Sequence, residues 1–260
     1  MSPRSHRIPD FHGIGASIAQ NLASKGANVV LVYPHQTSDE PAASLAAELS
    51  KAHNVKALPV RADFSTPEGC SKIVDAVEGD MPPNAQSGRP QVDILVNRAA
   101  VFHADLHSIY SVNAVKPLLP EDRSGRIVNV SSVGSKVGLE YLTLYGGSKG
   151  ALEAMTRTWA RELREHCTVN ACNPSSTMTD MLRGAPEDAK KAISMWYPLT
   201  PLSGIREWDS DEQKEMADKY GGRAGYAEEI AGIVGMICSP ESGWMTGCLV
   251  SANGGQWMAS

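Results

Sequence analysis

Residues Asn28-Val29-Val30-Leu31-Val32-Tyr33 make a nearly continuous apolar run, and a strand of that composition belongs in a sheet covered on both faces. Around it, helix and strand signals alternate. After Gly15 a helical pattern puts Ile14, Ile18, Ala19 and Leu22 on one face and stops at Gly26. Residues 42–53 read as a helix, 55–60 as a strand, 67–78 as a short helix, and 92–97 and 126–131 as strands. A long helix over about 145–165, a strand at 168–172, a helix over about 226–238 and a strand near 248–251 complete the series. This alternation predicts an α/β fold with a doubly wound parallel sheet, its helices on both faces. At 260 residues the chain suits one domain over 1–260. The Pro-, Gly- and Ser-rich stretch 79–90 reads as an exposed loop. Residues 173–225 read as irregular with short helical pieces, and 176–225 are the expected substrate-side lid.

Charge and composition exclude several functions. The formal net charge is -5 and the lysines and arginines are scattered, so no basic stripe invites nucleic acid and no polybasic run invites a lipid surface. No apolar stretch is long enough to cross a bilayer, the first residues lack the apolar core of a secretory signal, and the last four carry no lipidation or peroxisomal signal. Five cysteines with no C-x-x-C pair point to free thiols in a reducing compartment. The expected location is the cytoplasm.

The chemistry concentrates in two short stretches. Tyr145 and Lys149 stand four apart at the start of a helix and so share a face. A phenol holds its proton to about pH 10 in water, and a neighbouring ammonium eases its release. That makes the tyrosine a usable acid for carbonyl reduction or base for alcohol oxidation. Ser132 closes the run Val128-Asn129-Val130-Ser131-Ser132, and ligands of open α/β sheets sit at the carboxyl ends of strands. A serine-ended strand, an offset of thirteen residues and a Tyr-Lys pair opening a helix together define a proton-transfer centre.

With these motifs the chain resembles the short-chain dehydrogenase/reductase family along most of its length. The matching stretches are Gly13-Ile14-Gly15, Asp63-Phe64-Ser65, Asn97-Arg98-Ala99-Ala100, Val112-Asn113, Gly125 to Ser132, Tyr145 to Lys149, Asn173-Pro174, Thr179-Asp180-Met181 and Thr246-Gly247 to Gly254-Gly255. The resemblance implies a Rossmann-like sheet. It implies that Tyr145 is the acid/base, that Lys149 assists it and holds the nicotinamide ribose, and that Ser132 orients the substrate oxygen. It gives Asn113 the support of a proton relay through water to Lys149. Cofactor contacts would come from Gly13, Ile14 and Gly15, from Asp63 at the adenine, and from Thr177 and Thr179 at the carboxamide, with Asn97 stabilising the central strand. No metal is implied; homodimers or homotetramers are.

The phosphate state of the cofactor can be read beside this. An acidic residue ending the second strand would hold a ribose 2′-hydroxyl and repel a 2′-phosphate. Residues 32–38 offer Tyr33, His35, Thr37 and Ser38 instead, and His12 precedes Gly13. NADP(H) is therefore the expected cofactor. The first acid, Asp39, is expected to cap the following helix.

Two regions depart from the family pattern. The twelve residues before Gly13 contain Pro3 and Pro9, a poor composition for the central strand that should lead into the Gly-rich turn. Between Asn97 and Gly125 there are few residues, and Pro117 and Pro120 interrupt them, so no full helix is expected there. Ala100 and Ser175 stand where the family has glycines. A divergent member with reduced cofactor affinity and a chain lacking coding segments both account for this.

Other clusters have ordinary readings. His103 and His107 lack a third ligand and read as loop histidines. The cluster Glu207, Asp209, Asp211 and Glu212 lacks the spacing of a calcium loop and reads as a solvated acidic turn. Met178, Met181, Met195, Trp196, Tyr197 and Trp208 fit an apolar pocket or ordinary packing equally well. The leading expectation is an NADP(H)-dependent reductase of a medium-sized, aromatic or polyketide-like ketone, of the secondary-metabolism type, working on a small-molecule carbonyl or alcohol. A non-redox isomerase, cyclase or binding protein is the alternative.

Overall fold

The computed structural model describes residues 13–63, 66–98, 104–140 and 142–258, without the side chains of 104–107. Its strands are β1 (Val29–Tyr33), β2 (Ala57–Arg61), β3 (Ile94–Asn97), β4 (Gly125–Val130), β5 (Cys167–Pro174) and β6 (Leu249–Ala252). The helices are α1 (Ile14–Ala23), α2 (Asp39–His53), α3 (Pro67–Asp80), α4 (Ala104–Val115), α5 (Gly134–Val137), α6 (Thr143–Glu162), α7 (Asp180–Arg183), α8 (Glu187–Ser194), α9 (Asp211–Tyr220) and α10 (Ala227–Ile237).

Every ladder among the described residues is parallel, in keeping with the alternating pattern. Among the described residues, hydrogen bonding runs in a two-stranded section β1-β2 and a four-stranded section β3-β4-β5-β6. The strand expected before Gly13, with Pro3, Pro9 and His12, lies outside the described residues, as do Phe64, Ser65, Ala99, Ala100 and His103.

α1 joins the two sections because its sequence is apolar on two sides. Ile18, with Ile14 and Leu22, packs on Val128, Val130 and the α10 residues Ile230 and Val234. Ala16, Ala19 and Ala23 pack on Leu31 and on Leu45 and Leu49 of α2. The opposite face of the four-stranded sheet is covered by α4 and α6, where Val112, Val115, Leu152 and Trp159 meet Ile127 and Val169. Alternate residues of β4 thus serve opposite cores, the period of two that a doubly covered strand imposes.

The structure corrects the sequence reading at three places. Residues 104–115 form a twelve-residue helix where none was expected, and it includes His107, which was read as a loop histidine. Pro117 falls after it, at the start of a 3-10 turn over Lys116–Leu118, where its ring costs no helical hydrogen bond. Asp39 is not the cap of α2: Ser38 holds that position, and Asp39 pairs with Arg61 at 2.9 Å. Asp209 is not solvated: it is buried, accepts from Arg206 N at 2.7 Å and lies 3.7 Å from the buried Arg223. The lid region holds α7, α8, α9 and a 3-10 turn over Tyr197–Leu199. In it Tyr197 and Met178 are buried, while Met181, Met195 and Trp208 are exposed.

Candidate active site

Parallel strands bring their carboxyl ends to one edge, and the residues that follow them gather there. Ser132 follows β4, Asp63 follows β2, Asn97 ends β3, and Thr177 and Thr179 follow β5. Tyr145 and Lys149 lie in the first two turns of α6, which packs against β4 and β5.

Ser132 and Tyr145 both approach Gly134. A Cβ built there would lie 3.4 Å from Ser132 Oγ and 3.5 Å from the Tyr145 ring, so serine and tyrosine converge on one point. Ser132 Oγ accepts from Gly134 N at 3.1 Å. That contact uses an oxygen lone pair and leaves the hydroxyl proton free to donate. Lys149 is 2 % exposed. Its Nζ donates to Val130 O at 2.9 Å and sits 5.9 Å from the centre of the Tyr145 ring. Tyr145 and Ser132 are half-buried, open enough to meet a small molecule.

Asn97 is the centre of a buried polar chain. Ser111 Oγ donates to Asn97 Oδ1 at 2.6 Å, Asn97 Nδ2 to Asn129 Oδ1 at 2.8 Å, and Asn129 Nδ2 to Thr156 Oγ1 at 2.8 Å. The chain ties α4, β3, β4 and α6 together with each of these amides and hydroxyls partnered, the condition under which buried polarity rigidifies a core. Asn113 stands apart from the other site residues. It is exposed on α4 and borders a groove of about 410 Å³ with Pro67, Cys70, Val74 and Tyr110.

The residues fit a dinucleotide. Gly13 and Gly15 stand at the N-terminus of α1, and the space above them is filled by one side chain. A Cβ on Gly13 would lie 3.1 Å from an Arg98 guanidinium nitrogen, and one on Gly15 3.1 Å from Arg98 Cδ. The positive end of a helix and a guanidinium together suit a diphosphate. Arg98 is solvent-exposed at its surface, yet the surrounding protein desolvates it and pulls its pKa below the ordinary guanidinium value. Asp63 lies exposed at the β2 edge, its carbonyl accepting from Thr66 N at 3.2 Å. Thr177 and Thr179 are buried, their hydroxyls donating to Ser175 O at 3.0 Å and Thr177 O at 3.3 Å. Beside them the buried Asn173 Nδ2 has no acceptor among the described residues, leaving a donor unspent. No group of three or more His, Cys, Asp or Glu is gathered as for a metal ion among the described residues.

Two residues beside the site escaped the sequence reading. Arg98 sits in a recognised motif, but only the fold carries its side chain to Gly13 and Gly15. Glu153 lies one turn beyond Lys149, and its buried position on α6 was signalled only by a polar residue falling on an inward stripe.

Comparison with known proteins identifies the family of the chain. Residues 10–190 match the short chain dehydrogenase family. The chain is 37% identical to the L-xylo-3-hexulose reductase of Hypocrea jecorina (strain QM6a) over 292 aligned positions, covering 95% of this chain and 94% of that protein. It is 38% identical to an L-xylulose reductase of Aspergillus niger, covering 94% and 93%. Among solved structures, the angucycline C-6 ketoreductase LanV with bound NADP superposes with a TM-score of 0.75 at 25% identity, covering 94% of this chain and 91% of that one. No described helix is long and apolar enough to cross a membrane.

Proposed function

The chain belongs to the short-chain dehydrogenase family, and on that premise we propose that it is an NADP(H)-dependent oxidoreductase that reduces a medium-sized ketone or oxidises the corresponding secondary alcohol. The observation that carries this reading is the meeting of Ser132 Oγ and the Tyr145 ring above Gly134, 3.4 and 3.5 Å from one point.

The nicotinamide, when bound, supplies or accepts the hydride. Ser132, its oxygen already accepting from Gly134 N, points its proton at the substrate oxygen and holds it. Tyr145 delivers the proton to that oxygen as negative charge develops there. Lys149 places a positive charge beside the ring, where it stabilises the phenolate left behind. Gly13, Ile14, Gly15 and Arg98 would hold the diphosphate and Asp63 the adenine, while Thr177 and Thr179 would hold the carboxamide. Asn97 keeps β3 in place beneath them. The role of Asn113 in a water relay rests on the resemblance alone.

The 2′-phosphate preference is supported by the end of β1. Residues 34–38 carry no acid, and the nearest one, Asp39, is turned into its pair with Arg61. A lid over 176–225 would close the substrate side, where Met181, Met195, Leu199 and Leu202 are exposed, as is Leu144 beside the catalytic tyrosine. Those side chains favour an apolar ketone, whereas the two sequence relatives are named for ketoses.

Titration with NADPH, followed by nicotinamide fluorescence, tests the reading. Saturable binding is expected, tighter than for NADH; a folded protein that binds neither would favour the non-redox alternative. Consumption of NADPH with L-xylulose and with a bicyclic aromatic ketone then separates the substrate classes. Tyr145→Phe should abolish turnover and leave NADPH affinity within about twofold; retained turnover would remove the tyrosine from its role.

A further inference from the structure

α6 buries a carboxylate close to its catalytic turn. The Glu153 side chain is 2 % exposed and its Oε2 pairs with Lys136 Nζ. Its Oε1 accepts from Ser131 Oγ at 2.7 Å and from Ser135 Oγ at 2.5 Å. Burying a lone carboxylate is strongly unfavourable, and here three groups compensate it. All three come from the short stretch that surrounds Ser132.

Each serine hydroxyl has one proton to give. Ser131 also lies 3.3 Å from Lys149 O and Ser135 lies 2.8 Å from Ser132 O. In both cases the contact to Glu153 is the shorter, and an ionised acceptor makes the stronger bond. The backbone of the stretch is held at its base by Ser131 N to Cys172 O at 2.7 Å and Val133 N to Pro174 O at 2.9 Å. Beyond Val133, Ser135 and Lys136 tie the stretch to α6 through Glu153. Lys136 also stands 5.6 Å from the Trp257 ring, which closes the far side of the pair.

We propose that Glu153 is a positioning residue: its carboxylate ties the Ser131–Lys136 loop to α6 so that Ser132 Oγ is held against Tyr145. This rests on the reductase reading of the site. Lys149 Nζ is held by Val130 O of β4 and Arg98 lies beside Gly13, both outside the tied loop, so the serine's alignment with substrate and the cofactor's affinity should separate when the tie is cut.

Glu153→Ala and Ser135→Ala are compared with the wild type in the full chain. The readouts are kcat and KM for the ketone, NADPH affinity by fluorescence, and hydrogen exchange of residues 131–137. Both variants should lower kcat, Glu153→Ala by roughly tenfold to a hundredfold, as a misplacement of about 1 Å does, and Ser135→Ala by less. NADPH affinity should be retained, and faster exchange should be confined to 131–137. Should Glu153→Ala fail to fold, Ser135→Ala carries the test. Unchanged exchange in 131–137, exchange that rises there with kcat intact, or equal losses of kcat and NADPH affinity would each overturn the proposal. A wild type that turns over no ketone would overturn the reductase reading, while the exchange measurement still judges whether Glu153 holds the loop.

Discussion

A Cβ on Gly146 would stand 3.0 Å from the carbonyl oxygen of Gly134, so the first turn of α6 and the loop after β4 meet backbone to backbone. Gly146→Ala must push them apart by a few tenths of an ångström. Because Ser132 and Tyr145 lie on the two sides of that contact, we expect kcat to fall by roughly tenfold. Gly147, with nothing within 4 Å of its Cβ position, is the control: Gly147→Ala should keep activity and stabilise the helix by about 0.5–1 kcal/mol. Steady-state kinetics and thermal unfolding of the pair decide it, and equal activity in the two variants would show that the contact does not set the geometry.

Arg98 should govern how the dinucleotide's charge is felt. Arg98→Met keeps much of the bulk over Gly13 and Gly15 and removes the cation. NADPH affinity should weaken by roughly tenfold, in line with a hydrogen bond to a charged group. The dependence of binding on salt should flatten as well. Tighter binding in Arg98→Met would mean instead that the guanidinium obstructs the turn.

Thiol reactivity offers a check on burial. Desolvation pushes Cys167 and Cys172 up to about 12 and Cys238 up to about 11, and Cys70 is raised by burial as well. Cys248 is exposed. At about pH 8, a thiol reagent should label Cys248 rapidly and the other four only after unfolding. Mass spectrometry of the labelled peptides would reveal a second fast site, which would place that cysteine at the surface.

Acid should loosen residues 176–225 before the rest. Arg183 donates to Glu212 at 2.8 and 3.1 Å, and Lys219 pairs with Glu187 at 2.9 Å. Hydrogen bonds from Arg183 and Lys219 hold these two carboxyls below the ordinary glutamate value of 4.5. A depressed carboxylate contributes stability above its unfolded pKa and loses it as pH falls through the lower folded value. The exposed Arg183–Glu212 pair contributes no more than about 1 kcal/mol, so the effect is local. Hydrogen exchange of 180–220 should accelerate below about pH 4 ahead of β4 and β5; uniform acceleration would count against it.

The sequence carried the strands well because buried parallel strands are written as short apolar runs, as at Val29–Tyr33. α4 was missed because Pro117 was weighed as an interruption, although a proline two residues beyond a helix end does not disturb the turns before it. The centre of Ser132, Tyr145 and Lys149 was legible from spacing, since helical periodicity and strand ends fix relative position locally. Glu153 and Arg98 were not. Their partners come from loops and turns that only tertiary packing brings to them, and a single buried polar residue looks the same in sequence whether it faces water or a serine.

α1 has one flank in each of two cores, with Ile18 against β4 and α10 and Ala19 against β1 and α2. A dinucleotide lying across its N-terminus, from Asp63 on one section to Lys149 on the other, would act as a cross-link between them. Its binding free energy would then be partly conformational, and occupancy would be felt as cohesion. Loading should therefore raise protection from hydrogen exchange in β1 and α2 together with β4 and α10.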